Sequence, residues 1–355
     1  MDQYRIDSHK LVYHVSRVHD WLSGKTIYPV YMEISPSGAC NHRCTFCGLD
    51  FMEYQSRFLD TGLLKERLSE MGKLGLKSVM YSGEGEPFLH KEMSDLILHT
   101  KESSIDIALT TNGVLLNESI AEKILGYVEW VKVSISAATK ETYWKIHRIK
   151  ANDFDRVIQN MTMAAKINDK NGYKCVLGMQ ILLLPENSHE VLDLAKLARD
   201  IGMSYLVIKP YSQHTQSKTN LYKEIKYEDY MHLEDKLREF NNDHFSVIFR
   251  VNSMKKWDEG KRNYERCFAL PFWSYIDSGG NVWGCSVYLG DQRFLYGNIY
   301  KNSFKEIWEG QERKKSLRWV EEDLDVSHCR VNCRMDEINR YLWELKDPPD
   351  HVNFI

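Results

Sequence analysis

Between Val30 and Tyr211 the chain repeats one pattern six times: a short apolar run, a polar or glycine-bearing turn, then a stretch with helical spacing. The apolar runs are Val30–Ser35, Lys77–Tyr81, Ile105–Thr110, Trp130–Ser136, Lys174–Leu184 and Tyr205–Ile208. Helices are expected over Gly62–Leu74, Lys91–Glu102, Asn117–Leu125, 139–147 and 153–167. A sixth is expected to open at Asn187, with Glu190 completing a capping box and Val191, Leu194, Ala195 and Ala198 sharing one face. Strands that alternate with helices are joined by right-handed crossovers and pair in parallel. Polar motifs follow at least five of the strands, and in parallel barrels that edge carries the active site. The expected fold is therefore α/β, a partial (β/α)6 TIM-like barrel over residues 29–225. A helical extension (1–28) precedes it, a charge-rich helical linker (226–262) follows, and a small domain fills 263–355. In that last domain aromatic-rich strands flank the tight-turn signal Ser278-Gly279-Gly280-Asn281.

The first strand runs straight into Cys40-Asn41-His42-Arg43-Cys44-Thr45-Phe46-Cys47, three cysteines within eight residues. Cys267, Cys285, Cys329 and Cys333 form a late group, and Cys175 stands alone. The amino terminus lacks a basic-then-apolar segment, and no apolar run approaches the roughly 20 residues of a membrane span. A cytoplasmic chain that does not enter the membrane is expected, and there eight cysteines read as metal–sulfur chemistry rather than disulfides. The net charge of -3 gives no basic excess for nucleic acid. Zinc is the minor alternative for the early trio, with His42 as a fourth ligand. Three thiolates suit a four-iron cluster better, and they leave one iron without a protein ligand.

The C-x3-C-x-aromatic-C spacing, with Phe46 at the aromatic position, resembles the signature of the radical S-adenosylmethionine (SAM) superfamily. That resemblance implies that Cys40, Cys44 and Cys47 hold a 4Fe-4S cluster whose open iron is chelated by SAM. It also implies reductive cleavage of SAM to a 5'-deoxyadenosyl radical, with electrons from a flavodoxin- or ferredoxin-type donor. Gly85-Glu86-Pro87 resembles the family stretch that receives the SAM amino group, although Glu84 stands where the family has glycine. Thr111 and Asn112 resemble the motif near the SAM ribose and methionine part. Ser134, Ser136, Gln180 and Asn187 fall where the family places further SAM contacts. Lys209, Tyr211, Gln213 and His214, after the sixth strand, are the candidates for a polar substrate, and His147 and Arg148 are weaker ones.

The late segment, with Tyr296-Gly297-Asn298-Ile299 and Phe304-Lys305-Glu306-Ile307-Trp308, resembles the SPASM/twitch module of radical SAM enzymes. A full SPASM module has more cysteines and two clusters, so Cys267, Cys285, Cys329 and Cys333 imply one auxiliary 4Fe-4S cluster. Fully ligated, it would conduct electrons rather than bind substrate. The seventeen residues between Cys267 and Cys285 resemble those of 2-deoxy-scyllo-inosamine dehydrogenase and other sugar- or cyclitol-modifying members, while C-x3-C in the last pair departs from them. The expected activity is oxidation of a hydroxyl to a ketone on a carbohydrate-like small molecule. The alternatives are a sugar epimerase or dehydratase, for which Cys175 would return the hydrogen atom, and a peptide-modifying enzyme. The short segment before the barrel argues against the latter. The GTP cyclase of molybdopterin synthesis is set aside because its terminal Gly-Gly is absent. A non-catalytic cluster scaffold would have no use for Glu86 and Asn112. Parity along the fifth strand turns Cys175 away from the side that Gln180 occupies, so a core thiol is the stronger reading.

Overall fold

The structure is a computed structural model that describes residues 4–149 and 152–354; Met1–Gln3 of the expected extension and the terminal Ile355 lie outside the described residues. Ten strands form one sheet: β1 Tyr31–Ile34, β2 Ser78–Tyr81, β3 Asp106–Thr111, β4 Trp130–Ser134, β5 Val176–Leu183, β6 Tyr205–Pro210, β7 Ser246–Phe249, β8 Trp273–Ile276, β9 Asn281–Trp283 and β10 Leu295–Asn298. Their spatial order is β10-β9-β8-β1-β2-β3-β4-β5-β6-β7. The strands from β1 to β7 pair in parallel with their sequence neighbours. The strip is the expected partial barrel, with helices packed on its outer face.

Each crossover helix forms where an apolar stripe follows a cap. In Thr61–Lys73, Asp60 accepts from Leu63 N (2.8 Å), and Leu64, Leu68 and Met71 turn inward at helical spacing. Asn117 and Thr139 cap Glu118–Ile124 and Lys140–His147 in the same way. On β4, Val131 and Val133 are fully buried under the helices, while Trp130, Lys132 and Ser134 point to the other side of the sheet and keep contact with solvent. This alternation gives the barrel an apolar jacket and a polar interior.

Two expectations are corrected. Residues 226–262 are not a helical linker: they hold the short helix Leu233–Arg238, then β7, then the helix Val251–Glu259. The run Ser246–Phe249 is only four residues long within charge-rich surroundings, and its pairing with β6 makes it a strand. The second correction is the capping box. Asn187 makes no side-chain cap; its Oδ1 accepts from Leu184 N (2.8 Å). Glu190 reaches instead to Ala138 N (2.8 Å) and to the hydroxyls of Thr139 and Thr142, so it fastens a neighbouring helix start.

The C-terminal domain continues the same sheet. β8 pairs in parallel with β1 from Tyr31↔Trp273 to Ile34↔Ile276, and β9 and β10 follow antiparallel. The Ser278–Asn281 turn is where expected, with Gly280 at a φ of +80°. Glu84, the residue off the family pattern, clasps this turn to the barrel. Its buried carboxylate accepts from Ser278 N (2.9 Å), Ser278 Oγ (2.8 Å) and Arg57 Nη2 (3.2 Å). Gly38 leaves the room: a Cβ there would lie 2.7 Å from Ser278 Oγ and 2.7 Å from the Gln55 carbonyl oxygen. Replacing Glu84 by Ala leaves buried donors without an acceptor and is expected to cost about 2–4 kcal/mol. Urea unfolding measures the loss, and limited proteolysis should show the 263–355 region cut first.

Candidate active site

The cysteine loop leaves the carboxyl end of β1 and is pinned on three sides. Arg43 N and Thr45 N donate to the carbonyls of His147 (3.1 Å) and Ile146 (2.8 Å) at the end of the Lys140–His147 helix. Asn41 Oδ1 accepts from Asn112 Nδ2 (2.6 Å), and the Ala39 carbonyl accepts from Glu86 N (2.8 Å). Arg43 Nη1 closes the turn on the carbonyls of Cys40 (2.6 Å) and His42 (2.7 Å) and stacks over Tyr54, 4.1 Å from the ring centre.

Burial raises all three thiols, and Cys40 is pushed up to about 12. Each of Cys40 and Cys44 also feels the charge of a neighbouring thiol. Three non-bridged, half-buried thiols in one eight-residue loop are destabilised as bare thiolates and fit a multivalent iron–sulfur centre. His42 does not complete a zinc set in the manner considered. Its Nε2 pairs with Asp153 (3.1 Å), and its ring packs edge-on to Tyr143. His42, Cys44 and His147 do bring ligand atoms within 4.8 Å of one another. His147 bonds the Ile135 carbonyl through Nε2 (2.8 Å) and meets Cys44 Sγ through Nδ1 (3.0 Å). It is a brace for Cys44, which sequence reading noted only as a substrate candidate. Phe46 stands edge-on to the same imidazole (5.6 Å between ring centres).

Of the residues expected around SAM, Glu86, Thr111 and Asn112 join this loop in one hydrogen-bonded network. Glu86 is fully buried and accepts from Thr111 Oγ1 (2.5 Å), Asn112 N (2.8 Å) and Phe88 N (3.2 Å). Burial pushes its carboxyl upward, and these donors oppose the shift. Both Glu86 oxygens are thus engaged within the chain. Gly85 lies so close to the cysteine loop that a Cβ would meet the Ala39 oxygen at 2.1 Å. The backbone around Gly85 is what abuts the loop, with carbonyls suited to an ammonium. Gln180 Nε2 donates to Ser134 Oγ (3.2 Å), placing that pair side by side on β5 and β4. Ser136 adopts φ +50°, and its carbonyl accepts from Asn187 Nδ2 (2.8 Å). Asn187 is fully buried with its amide spent on Leu182, Leu184 and Ser136, so it shapes the β4 and β5 ends from behind.

The four late cysteines line one small, largely apolar cavity with Tyr264, Trp273, Tyr288 and Phe294. Donors are aimed at three of the sulfurs: Asn339 Nδ2 at Cys267 (3.4 Å), Val287 N at Cys285 (3.4 Å) and Tyr288 Oη at Cys329 (3.3 Å). Burial raises all four thiols, and Cys333 is pushed up to about 12. Four converging sulfurs with N–H and O–H donors around them fit one cluster with no open iron.

A polar cavity of about 290 Å³ is lined by Lys132, Gln180 and Lys209 from the barrel and by Arg330, Cys333 and Arg334 from the C-terminal domain. Of the four substrate candidates, Lys209 lines it. Tyr211, Gln213 and His214 do not: they lock a loop. Tyr211 Oη bonds Gln213 (3.0 Å), Gln213 Nε2 bonds the Thr219 carbonyl (2.9 Å), and His214 Nε2 meets the Ser286 carbonyl (3.1 Å) while stacking on Phe51. Burial also lowers His214 to about 4, which keeps it neutral. Cys175 is corrected as a hydrogen-atom donor. It is buried in the jacket just before β5 begins, at the strand's amino end, and does not line the cavity. Lys132, Arg330 and Arg334 were missed. A lysine two residues before Ser134 on an alternating strand was the available signal for the first.

Residues 34–198 match the Radical SAM superfamily, and residues 267–334 match SPASM, an iron-sulfur cluster-binding domain. The chain thus carries a Radical SAM domain followed by a SPASM domain, and these two domains imply SAM, the SAM-binding 4Fe-4S cluster and auxiliary iron–sulfur as cofactors. Similar chains include the probable GTP 3',8-cyclase of Methanocaldococcus jannaschii, 30% identical over 181 residues, covering 50% of this chain and 58% of that one. The GTP 3',8-cyclase of Chlorobaculum tepidum is 24% identical over 52% of this chain and 55% of its own. The aligned part therefore spans little more than half of these cyclases. The AdoMet-dependent heme synthase of Methanosarcina barkeri is 24% identical over 81% of this chain and 84% of its own. Among solved structures, Streptococcus suis SuiB bound to S-adenosylmethionine shares the fold, with a TM-score of 0.65 at 18% identity over 84% of this chain and 70% of that chain. These relatives do not support the nearness to cyclitol dehydrogenases expected from cysteine spacing. Among the described residues no helix is long and apolar enough to cross a membrane.

Anaerobic reconstitution should give about eight irons per chain, and Cys285→Ala about four. Iron and sulfide analysis checks this. Four irons in both proteins would remove the second centre.

Proposed function

We propose that this radical SAM enzyme is an oxidoreductase that takes a hydrogen atom from a carbon bearing a hydroxyl on a carbohydrate-like small molecule and leaves a ketone. The observation that supports this most is one polar cavity that touches both Gln180, a residue expected near SAM, and Cys333 of the late cysteine group. When bound, the cofactors supply the chemistry: SAM, reduced by one electron, gives the 5'-deoxyadenosyl group that takes the hydrogen atom, and the auxiliary cluster takes up one electron. The substrate loses one hydrogen atom from carbon, one proton from its hydroxyl and one electron, which sums to the two-electron oxidation.

The chain's own contribution is positioning. Glu86, Thr111 and Asn112 hold the β2 and β3 loops against the cysteine loop, and this fixes where the SAM methionine part would sit. Ser134 and Gln180 extend that surface toward the cavity. Trp273, Tyr288 and Phe294 exclude water around the late cysteines, which favours electron transfer over exchange with solvent. Reducing equivalents for SAM come from an external flavodoxin- or ferredoxin-type donor. The peptide-modifying alternative gains support from SuiB, solved bound to precursor peptide SuiA. The limited volume and the charge of the cavity favour a small molecule.

Cys40→Ala is expected to abolish 5'-deoxyadenosine formation from SAM and dithionite. With the substrate, Cys285→Ala should still consume SAM but yield no ketone. Mass spectrometry of the product made in deuterium oxide decides the alternative. Solvent deuterium on carbon with unchanged oxidation level would establish epimerisation and end the oxidation reading.

A further inference from the structure

The interior of the barrel carries more positive charge than its own structure uses. Six cations line the cavity: Lys132, Lys209, Arg250, Lys256, Arg330 and Arg334. Three of them have carboxylate partners. Arg334 pairs with Glu33 (2.9 Å), Arg250 with Asp7 (3.0 Å), and Lys256 with Asp336 (2.9 Å) and Glu337. The other three do not. Arg330 is held by Ser212 Oγ (2.8 Å), a neutral partner. Lys132 lies over the Trp130 ring at 5.3 Å, and among the described residues neither it nor Lys209 has a carboxylate within ion-pair distance.

Placing unpaired cations together in an enclosed site is unfavourable, because each loses water and repels the others. Burial lowers Lys132 to about 7, with Arg334 and Arg250 adding to the effect and Glu33 opposing it. Lys209 is also driven well down, by burial first and then by Lys132, Arg250, Arg330 and Arg334. A fold has no structural need for this arrangement on β4 and β6, where a leucine or methionine would fill the space and stabilise the barrel. The auxiliary cluster accounts for some of the positive charge at Arg330 and Arg334, which adjoin Cys329 and Cys333 in sequence. It does not account for Lys132 and Lys209, which come from strands on the barrel side.

We infer that the substrate carries a multiply charged oxyanion, of the phosphoester or polycarboxylate kind, which Lys132, Lys209 and Arg330 grip in the cavity that also touches Gln180 and Cys333. By strand register Lys132 and Lys209 stand on either side of the Gln180 layer. An arriving anion favours the protonated form of both lysines, and three cationic donors match a phosphate or diphosphate better than a single carboxylate. The inference deepens the proposed function and rests on its reading that substrate occupies this cavity.

The test uses anaerobically reconstituted full-length protein and calorimetric titration with inorganic pyrophosphate, citrate and acetate. Pyrophosphate or citrate should bind measurably and acetate should not; tighter pyrophosphate assigns a phosphoester, and tighter citrate a polycarboxylate. Lys209→Met and Lys132→Met should each weaken the preferred anion by at least about tenfold. Both variants should keep wild-type iron content and SAM affinity, and their melting temperatures should hold or rise, since an unpaired buried charge has gone. Pyrophosphate and citrate binding that is absent, or unchanged in both variants, would overturn the inference. SAM affinity that falls in parallel would overturn it too, because the lysines would then serve the SAM carboxylate. The two readings fail separately. A wild-type protein that makes no 5'-deoxyadenosine yet shows lysine-dependent anion binding defeats the radical reaction alone, and the reverse outcome defeats the anion site alone.

Discussion

Strand β1 is hydrogen-bonded on both edges, and most of the architecture follows from that. Tyr31–Ile34 pairs with β2 on one side and with β8 on the other, four residues deep in each case. A strand held on both edges cannot shift register without breaking two ladders. The cysteine loop leaves its carboxyl end, so the first metal-binding group inherits that rigidity. The β8 pairing brings the C-terminal domain to the barrel mouth without a flexible linker. Residues of the barrel strands and Cys333 of the late cysteine group thereby line one cavity.

Around this axis the polar residues divide into those that build and those that remain available. Glu86, Glu84 and Glu190 are buried and accept from two or more donors within the chain, and buried Asn187 accepts from Leu184 N while donating to the Ser136 and Leu182 carbonyls. They replace helix and strand hydrogen bonds at loop junctions, where the backbone has no ladder partner. A carboxylate is used at three of these four sites because charge-assisted bonds are the stronger ones in a dry interior. Lys132 and Lys209 are the opposite case, with donors facing a cavity and no acceptor supplied by the chain. That contrast, rather than the presence of charge, separates scaffold from site.

The sequence made local periodicity and local spacing legible. The six strand–helix units, the turn at Ser278–Asn281 and both cysteine groups all rest on residues near one another in the chain. What depended on distant pairing was not visible. Trp273–Ile276 reads as the start of a separate domain, and its place beside Tyr31–Ile34 comes from a contact across the whole barrel. Ser246–Phe249 is too short to declare itself a strand without β6. Asn187 and Glu190 have cap spacing, yet both are drawn into stronger tertiary bonds, a case of tertiary context overriding a local motif. His214 and Gln213 had the chemistry of ligands, but their loop is locked onto Ser286 and Thr219.

The missed cations show why parity needs a third dimension. A lone lysine in a strand ordinarily marks a solvent face, and Lys132 alternates with buried valines as a surface residue would. In a flat sheet that face would be open. Here the sheet curls, and the C-terminal domain closes over it with Arg330 and Arg334 on its own loop. The same lysine thus passes from a bland surface position to one of several cations enclosed together. The curvature of the barrel and the β1–β8 pairing together turn a solvated face into a binding cavity, and there repulsion among unpaired cations is relieved by proton loss from the lysines or by an anion from outside.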